Sequence, residues 1–184
     1  YRHKKSILKA IRNNVKIFFE NDLNHLNDFL FIYKKMLDFQ KADNFYYFDN
    51  DFYLNLLKYL KDNFIFSYAK YNNKIISCEL ILHNGFYAHS YLGATLIDYR
   101  NLCPNHLLKS KVIEYLIGIQ CKYYLIGGGI KNNDGIFEYK KGFSPDGIYS
   151  SFIGKTIYDE SLYNNIKEKY KKNNSLNNLQ FYEN

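Results

Sequence analysis

The chain has 184 residues, 47% of them hydrophobic and 23% charged, with a net charge of +7. That is about one domain's length, and no apolar run approaches the ~20 residues of a membrane helix or reads as a signal peptide. Three cysteines (Cys78, Cys103, Cys121) and five scattered histidines lack ligand spacing, so a reducing cytoplasm and no metal site are expected.

The chain opens with Arg2, Lys4, Lys5, Lys9, Arg12 and Lys16 and no acid before residue 17. Helical periodicity covers 3–13, and positions 2, 5, 9, 12 and 16 step by three and four along one face, with Ile7, Leu8 and Ile11 opposite. Such a stripe is either a solvated face or a contact for nucleic-acid phosphates through Arg2, Lys5, Lys9 and Arg12. A strand at 15–20 follows. Asp22 is placed to cap a helix whose apolar face is Leu26, Phe29, Leu30, Tyr33, Met36 and Leu37. A packed aromatic loop leads to a helix at 51–61 that turns Phe52, Leu56, Leu57 and Leu60 inward.

Three β-rich runs come next, "FIFSYAKY", "KIISCELILHN" and "GFYAHSYLGAT", joined by hairpin signals at 72–74 and 84–85. A helix then opens with Pro104 in its first turn and buries Leu108, Val112, Tyr115, Leu116 and Ile119. "KYYLIGGG" reads as a short buried strand, 134–142 as a short helix, "GIYSSFIGKTIY" as a strand and 160–172 as a charged helix before a polar tail. A meander that crosses through a helix to a further strand gives an α/β fold with a mixed sheet and helices on both faces. Sites in such sheets form outside strand ends, where Gly127, Gly128 and Gly129 stand.

Taken in order, "HSYLGAT", "YR", "PNHLLKSKVIEYLI", "YYLIGGG" and "DGIFEYKKGFSPD" resemble the signature of the Fem family (FemABX-like) of peptidoglycan-bridge aminoacyltransferases, within the GNAT-like acyltransferases. The match runs from about 64 to 158, and "RHKKSILKAIRNN" resembles the basic helix that joins the two GNAT-like halves of those enzymes. The resemblance implies a GNAT-like, mostly antiparallel mixed sheet flanked by helices. It further implies a linking helix at 1–14, a GNAT-like second half at 15–172 and a tail at 173–184. The missing first half would lie upstream, an expectation that Tyr1 as first residue and Met36 as sole methionine also suggest.

By the same resemblance the chain is part of a bacterial enzyme that moves an amino acid from aminoacyl-tRNA to an amine of a peptidoglycan precursor. Tyr139–Lys140 stands at the family's Phe-Lys position, whose lysine lies at the reacting centre. Aminolysis of an ester passes through an oxyanion, and a fixed cation such as Lys140 lowers that barrier. Backbone at Gly127–Gly129, with Asp134, Arg100 and Tyr91, is the expected substrate contact, and His89 is a candidate base. Each has a plainer reading. Lys140 would be one of two solvated lysines beside Lys141, the glycines a strand exit at positive φ, Asp134 an N-cap, Arg100 the bracket of a turn and His89 a satisfied or surface histidine.

A coenzyme A-dependent GNAT holds pyrophosphate on glycine-loop N–H groups before its central helix. "DYRNLCPNHLL" has no glycine there, so no cofactor is expected. Two alternatives stay open: acetyl-CoA-dependent N-acylation of an amino sugar or small amine, and a non-catalytic half that binds RNA or peptide. The chain in isolation is expected to show no turnover.

Overall fold

The computed structural model describes residues 3–129, 134–150, 152, 154 and 156–172. In chain order the elements are α1 (Lys4–Arg12), β1 (Lys16–Glu20), α2 (Leu26–Gln40), α3 (Asn50–Leu60), β2 (Phe64–Tyr71), β3 (Lys74–His83) and β4 (Tyr87–Thr95). They continue with α4 (Pro104–Gly118), β5 (Tyr123–Leu125), α5 (Gly135–Lys141) and α6 (Glu160–Lys172), and 3-10 turns at Asn44–Tyr46 and Ile97–Leu102. Contacts divide the chain into one unit ending at Gly147 and a second from Ile148 onward, to which α6 belongs.

The five strands form one sheet in the order β1-β2-β3-β4-β5. β1 to β4 pair antiparallel, and β5 joins β4 in parallel. The mixed, mostly antiparallel sheet expected from the sequence is therefore present. The first hairpin turns through Asn72 and Asn73, both at positive φ, the conformation of a tight two-residue connection. At the second, Asn84 Oδ1 accepts from the Phe86 and Tyr87 N–H groups while Gly85 takes φ +82°.

Alternation along the strands sends side chains to two cores. One gathers Phe29, Tyr33, Tyr53 and Leu56 of α2 and α3 against Phe64, Phe66, Tyr68 and Leu80. The other packs Ala10 of α1 and Leu107, Leu108, Val112 and Leu116 of α4 against Ala69, Ile81 and Ala88. Each fully buried Phe or Leu contributes roughly 1.5–3 kcal/mol.

Several expectations are corrected. Helix α1 ends at Arg12 and Lys16 opens β1, so Lys16 leaves the helical stripe. Its packed side is His3, Ile7 and Ala10, while Leu8 and Ile11 stay exposed. Asp22 bonds the N–H of Asn24 two residues on, a local turn, and α2 begins only after His25. Ile32 and Tyr53 are buried without having been singled out, whereas Tyr115 of α4 and Ile119 just past its end are exposed. The described residues of 147–158 form no strand, and Ser151, Ile153 and Lys155 of that segment lie outside the described residues. The tail from 173 does too, as do Arg2 and, for its side chain, Leu57.

Candidate active site

β4 and β5 stay together for only three residue pairs, Tyr87 with Tyr123, Ala88 with Tyr124 and His89 with Leu125. Beyond them β4 from Ser90 onward has no pairing partner on that side among the described residues. A bulge re-aims β4 at the same place. Leu80 opposes Leu92 and Ile81 opposes Ser90, which leaves Tyr91 as the extra residue. The result is a fork.

Four elements meet at its base. Lys109 of α4 and Glu79 of β3, 5% and 4% exposed, form a buried ion pair through Lys109 Nζ and Glu79 Oε1. Lys109 Nζ also donates to Ser90 Oγ of β4 at 2.9 Å and to Tyr124 OH of β5 at 2.8 Å. Tyr124 OH donates to Glu79 Oε1 at 2.9 Å, and Ser90 Oγ donates to the same oxygen. Burial and the Glu79 carboxylate push the Tyr124 phenol far up, so it stays a donor. Sequence analysis missed this cluster. Its one trace is a glutamate in the middle of "KIISCELILH", a run otherwise fit for a buried strand.

Lys140 is partly buried and donates from Nζ to the Gly128 carbonyl at 2.7 Å. Its ammonium stands at the glycine loop rather than in bulk water. Burial first, then the Lys109 charge, lower its pKa from the ordinary lysine value, with Glu79 and Asp134 opposing. Gly127 has φ +79°, and a Cβ there would come within 3.3 Å of Lys140 Nζ. At Gly129 a Cβ would collide with the Asp134 carboxylate, 2.1 Å from Oδ1. Gly127 is thus favoured by its positive φ and Gly129 by close approach. Asp134 is also the N-cap of α5, accepting from the Phe137 N–H at 2.7 Å.

His89 closes the paired part of the fork, and burial, then Lys140 and Lys109, hold its pKa below the ordinary value, which leaves a neutral imidazole at pH 7. Tyr139, whose phenol burial also raises, donates to the Asn105 carbonyl of α4 at 3.0 Å. It belongs to a ring cluster with His3, His106 and Phe143 over the first turn of α4. That turn offers an anion little. Pro104 has no N–H, Cys103 before it is left-handed, and the His106 N–H is bonded to the Cys103 carbonyl at 3.1 Å.

The structure therefore brings together Lys140, Gly127, Gly128, Gly129 and Asp134, and His89 lies within reach of the Lys140 charge. Tyr91 stacks toward Phe52 of α3, ring centroids 6.3 Å apart. Arg100 lies past the far end of β4, its guanidinium over the Phe39 ring. Lys5, Lys9 and Arg12 are exposed on α1. No helix of the described residues is long and apolar enough to cross a membrane.

A mixed sheet of four antiparallel strands with a short parallel fifth, flanked by helices, is the GNAT-like fold. The profile described as acetyltransferase (GNAT) domain matches residues 2–141, and the chain belongs to that family. Among solved structures it is similar to the aminoglycoside acetyltransferase meta-AAC0020 from an uncultured soil metagenomic sample. There the TM-score is 0.64 and the identity 16%, with 81% of this chain and 99% of that one covered. FemX matches with TM-score 0.62 and 11% identity over 73% of this chain and 50% of its own. The C-terminal domain of a putative lysylphosphatidylglycerol synthetase from Agrobacterium fabrum matches with TM-score 0.56 and 12% identity, over 76% and 45%. The chain thus spans a whole acetyltransferase but half of FemX. A search of curated proteins finds no match.

Proposed function

We propose that the fork is the acyl-transfer site of a Fem-like enzyme that moves an amino acid from aminoacyl-tRNA to an amine of a peptidoglycan precursor. The observation that carries the reading is the Lys140 ammonium, fixed to Gly128 O at the mouth of the fork. The acceptor nitrogen attacks the ester carbonyl carbon, a C–N bond forms, and the carbonyl oxygen becomes an oxyanion beside Lys140. The ester C–O bond then breaks. The proton lost by the amine passes to the neutral His89 imidazole, which then gives it to the departing ribose oxygen. Resemblance supplies the donor class, and the first turn of α4 supports it by offering so little to a pyrophosphate.

Transfer by the full-length protein tests the chemistry. Lys140→Ala is expected to lower kcat ~10²–10³-fold, the cost of losing one oxyanion donor, and unchanged transfer would remove Lys140 from the mechanism. The second reading is acetyl-CoA-dependent N-acylation of an amino sugar, the kind of acceptor bound in the sisomicin complex of the soil acetyltransferase. Calorimetry with acetyl-CoA separates the two, tight binding favouring the second.

A further inference from the structure

Helix α5, which carries Lys140, has only seven residues, Gly135–Lys141. A helix that short is not stable by itself and depends on what holds its two ends. Asp134 caps the first turn through the Phe137 N–H. The last turn is less well served. The Gly142 N–H is shared between the Glu138 and Tyr139 carbonyls at 3.2 Å each, and the Phe143 N–H goes to the Lys140 carbonyl at 3.0 Å. The Tyr139 carbonyl is left with a share of one donor from its own segment, the usual deficit of a helix C-terminus.

A donor from the far end of the chain makes up the deficit. His3, at the start of α1 and 8% exposed, places Nε2 at 2.8 Å from the Tyr139 carbonyl oxygen, 136 residues away in sequence. A carbonyl only accepts, so Nε2 carries the hydrogen. The imidazole lies in a socket of rings, with centroids 4.5 Å from Phe143, 4.7 Å from His106 and 5.4 Å from Tyr139. Gly142 leaves it room, because a Cβ there would collide with His3 Nε2. At φ −62° and ψ −18° the Gly142 backbone suits any residue, so it is the imidazole and not the backbone that calls for glycine. Tyr139 also donates its phenol to the Asn105 carbonyl of α4. The residue directly before Lys140 is therefore fixed by its side chain and by its carbonyl at once.

We infer that His3 is a positioning residue of the acyl-transfer site, a cap supplied from α1 that holds the last turn of α5 and so keeps Lys140 Nζ at the Gly128 carbonyl. His side chains near a helix C-terminus serve its last carbonyls well, and a seven-residue helix has little else to fix its angle. His3 touches no reacting group and acts through Tyr139. Its role in transfer rests on the reading of Lys140 as the oxyanion cation, whereas the cap itself does not.

His3→Phe keeps a ring in the socket without the donor, His3→Gln returns a donor without the ring, and Gly142→Ala displaces the imidazole. Amides 138–143 should exchange hydrogen roughly 10-fold faster in His3→Phe and Gly142→Ala, with β2 and β3 unchanged, and close to the wild-type rate in His3→Gln. NMR titration of the Lys140 Cε resonance should move toward the ordinary lysine value in the first two, as water reaches an ammonium that burial holds below it. In transfer by the full-length protein, His3→Phe should lower kcat about 10–100-fold through misplacement of Lys140, with KM held within about 2-fold and His3→Gln restoring the rate. Native α5 exchange and an unmoved Lys140 titration in His3→Phe would overturn the inference. So would a His3→Gln variant that behaves like His3→Phe, or exchange that rises across the whole sheet, since either assigns His3 to packing alone. Normal transfer by Lys140→Ala would instead sink the acyl-transfer reading, with exchange and titration still deciding the cap.

Discussion

Lys109 is a residue whose removal has a calculable cost. Its ammonium is 6% exposed at the side chain and spends its three donors on Glu79, Ser90 and Tyr124. Lys109→Met keeps most of the side-chain volume but deletes the charge. Glu79 is then a buried carboxylate left with two hydroxyl donors, and breaking a buried pair by removing one partner costs about 3–5 kcal/mol. Domains carry roughly 0.05–0.15 kcal/mol of stability per residue, so the unit ending at Gly147 has about 7 kcal/mol at the low end. A single substitution therefore removes about half of that margin.

Urea unfolding followed by circular dichroism reads the loss. With an m-value of about 1–3 kcal/mol per molar, the midpoint should fall by at least about 1 M. Glu79→Gln should also destabilise, leaving Lys109 charged without its counter-ion. The double variant Glu79→Gln/Lys109→Met removes both charges and should lose less than the sum of the singles by about 1–3 kcal/mol. Tyr124→Phe leaves the pair intact and should cost about 1–3 kcal/mol. A Lys109→Met cost under ~1 kcal/mol, or strict additivity in the cycle, would refute a desolvated pair at this position.

Four further outcomes follow from the geometry. His106 titrates near 4, lowered by burial and by His3 from the ordinary 6.5. The unfolded chain takes up that proton first, so the stability this group contributes is complete above pH 6.5 and is lost as pH falls toward 4. The full shift corresponds to ~3.4 kcal/mol, and solvent screening of the partly exposed ring reduces that to roughly 1.5 kcal/mol; His106→Gln should flatten the slope in pH-dependent urea titrations. Gly127→Ala, which combines positive φ with contact to Lys140, should cost about 1 kcal/mol or more and impair transfer, whereas Gly128→Ala has open space and should do neither. Asp134→Ala removes the α5 cap and should lower stability by about 0.5–2 kcal/mol in thermal unfolding. The transfer rate should show an alkaline limb below the ordinary lysine pKa if protonated Lys140 holds the oxyanion, since burial and Lys109 lower its pKa; Lys140→Ala should abolish that limb.

The order of elements through α5 was legible because each carried a local signal: apolar periodicity in α2, the Asn72–Asn73 and Asn84–Gly85 turns, Pro104 opening α4. Lys140 was located only through the resemblance to the Fem motif, and the glycine loop by a triplet at a strand end, where Gly127 takes a positive φ and a Cβ at Gly129 would collide with Asp134. The Glu79 cluster was not legible. Its members stand at 79, 90, 109 and 124, and no local spacing marks four residues that meet only once β5 lies beside β4. Lys109 follows Leu107 and Leu108 on α4 and reads as the polar edge of that helix, yet it is buried because Glu79 faces it from the sheet. "GIYSSFIGKTIY" failed for the opposite reason. Alternating Ile, Tyr and Phe satisfies a strand pattern, but pairing needs a neighbour with free hydrogen-bonding groups, and Ile148, Tyr149 and Phe152 are 50%, 89% and 91% exposed.

Stability alone is a poor reason for an ion pair beneath the fork, because apolar side chains of similar volume commonly do as well or better in such places. Direction is the stronger reason. Leucines would fill the space but would not fix how β4 and β5 lie where they separate. The Lys109 ammonium has one bond to each of three strands, through Glu79 of β3, Ser90 of β4 and Tyr124 of β5. Ser90 is the first β4 residue beyond the paired segment, and Tyr124 precedes by three residues the glycine whose positive φ begins the loop beneath Lys140. The cluster therefore ties β3, β4 and β5 to α4 where β4 and β5 separate. The proposed acyl transfer needs a fixed cation in a fixed frame, and a satisfied network of charge-assisted hydrogen bonds gives these strands a direction that dispersion contacts alone do not.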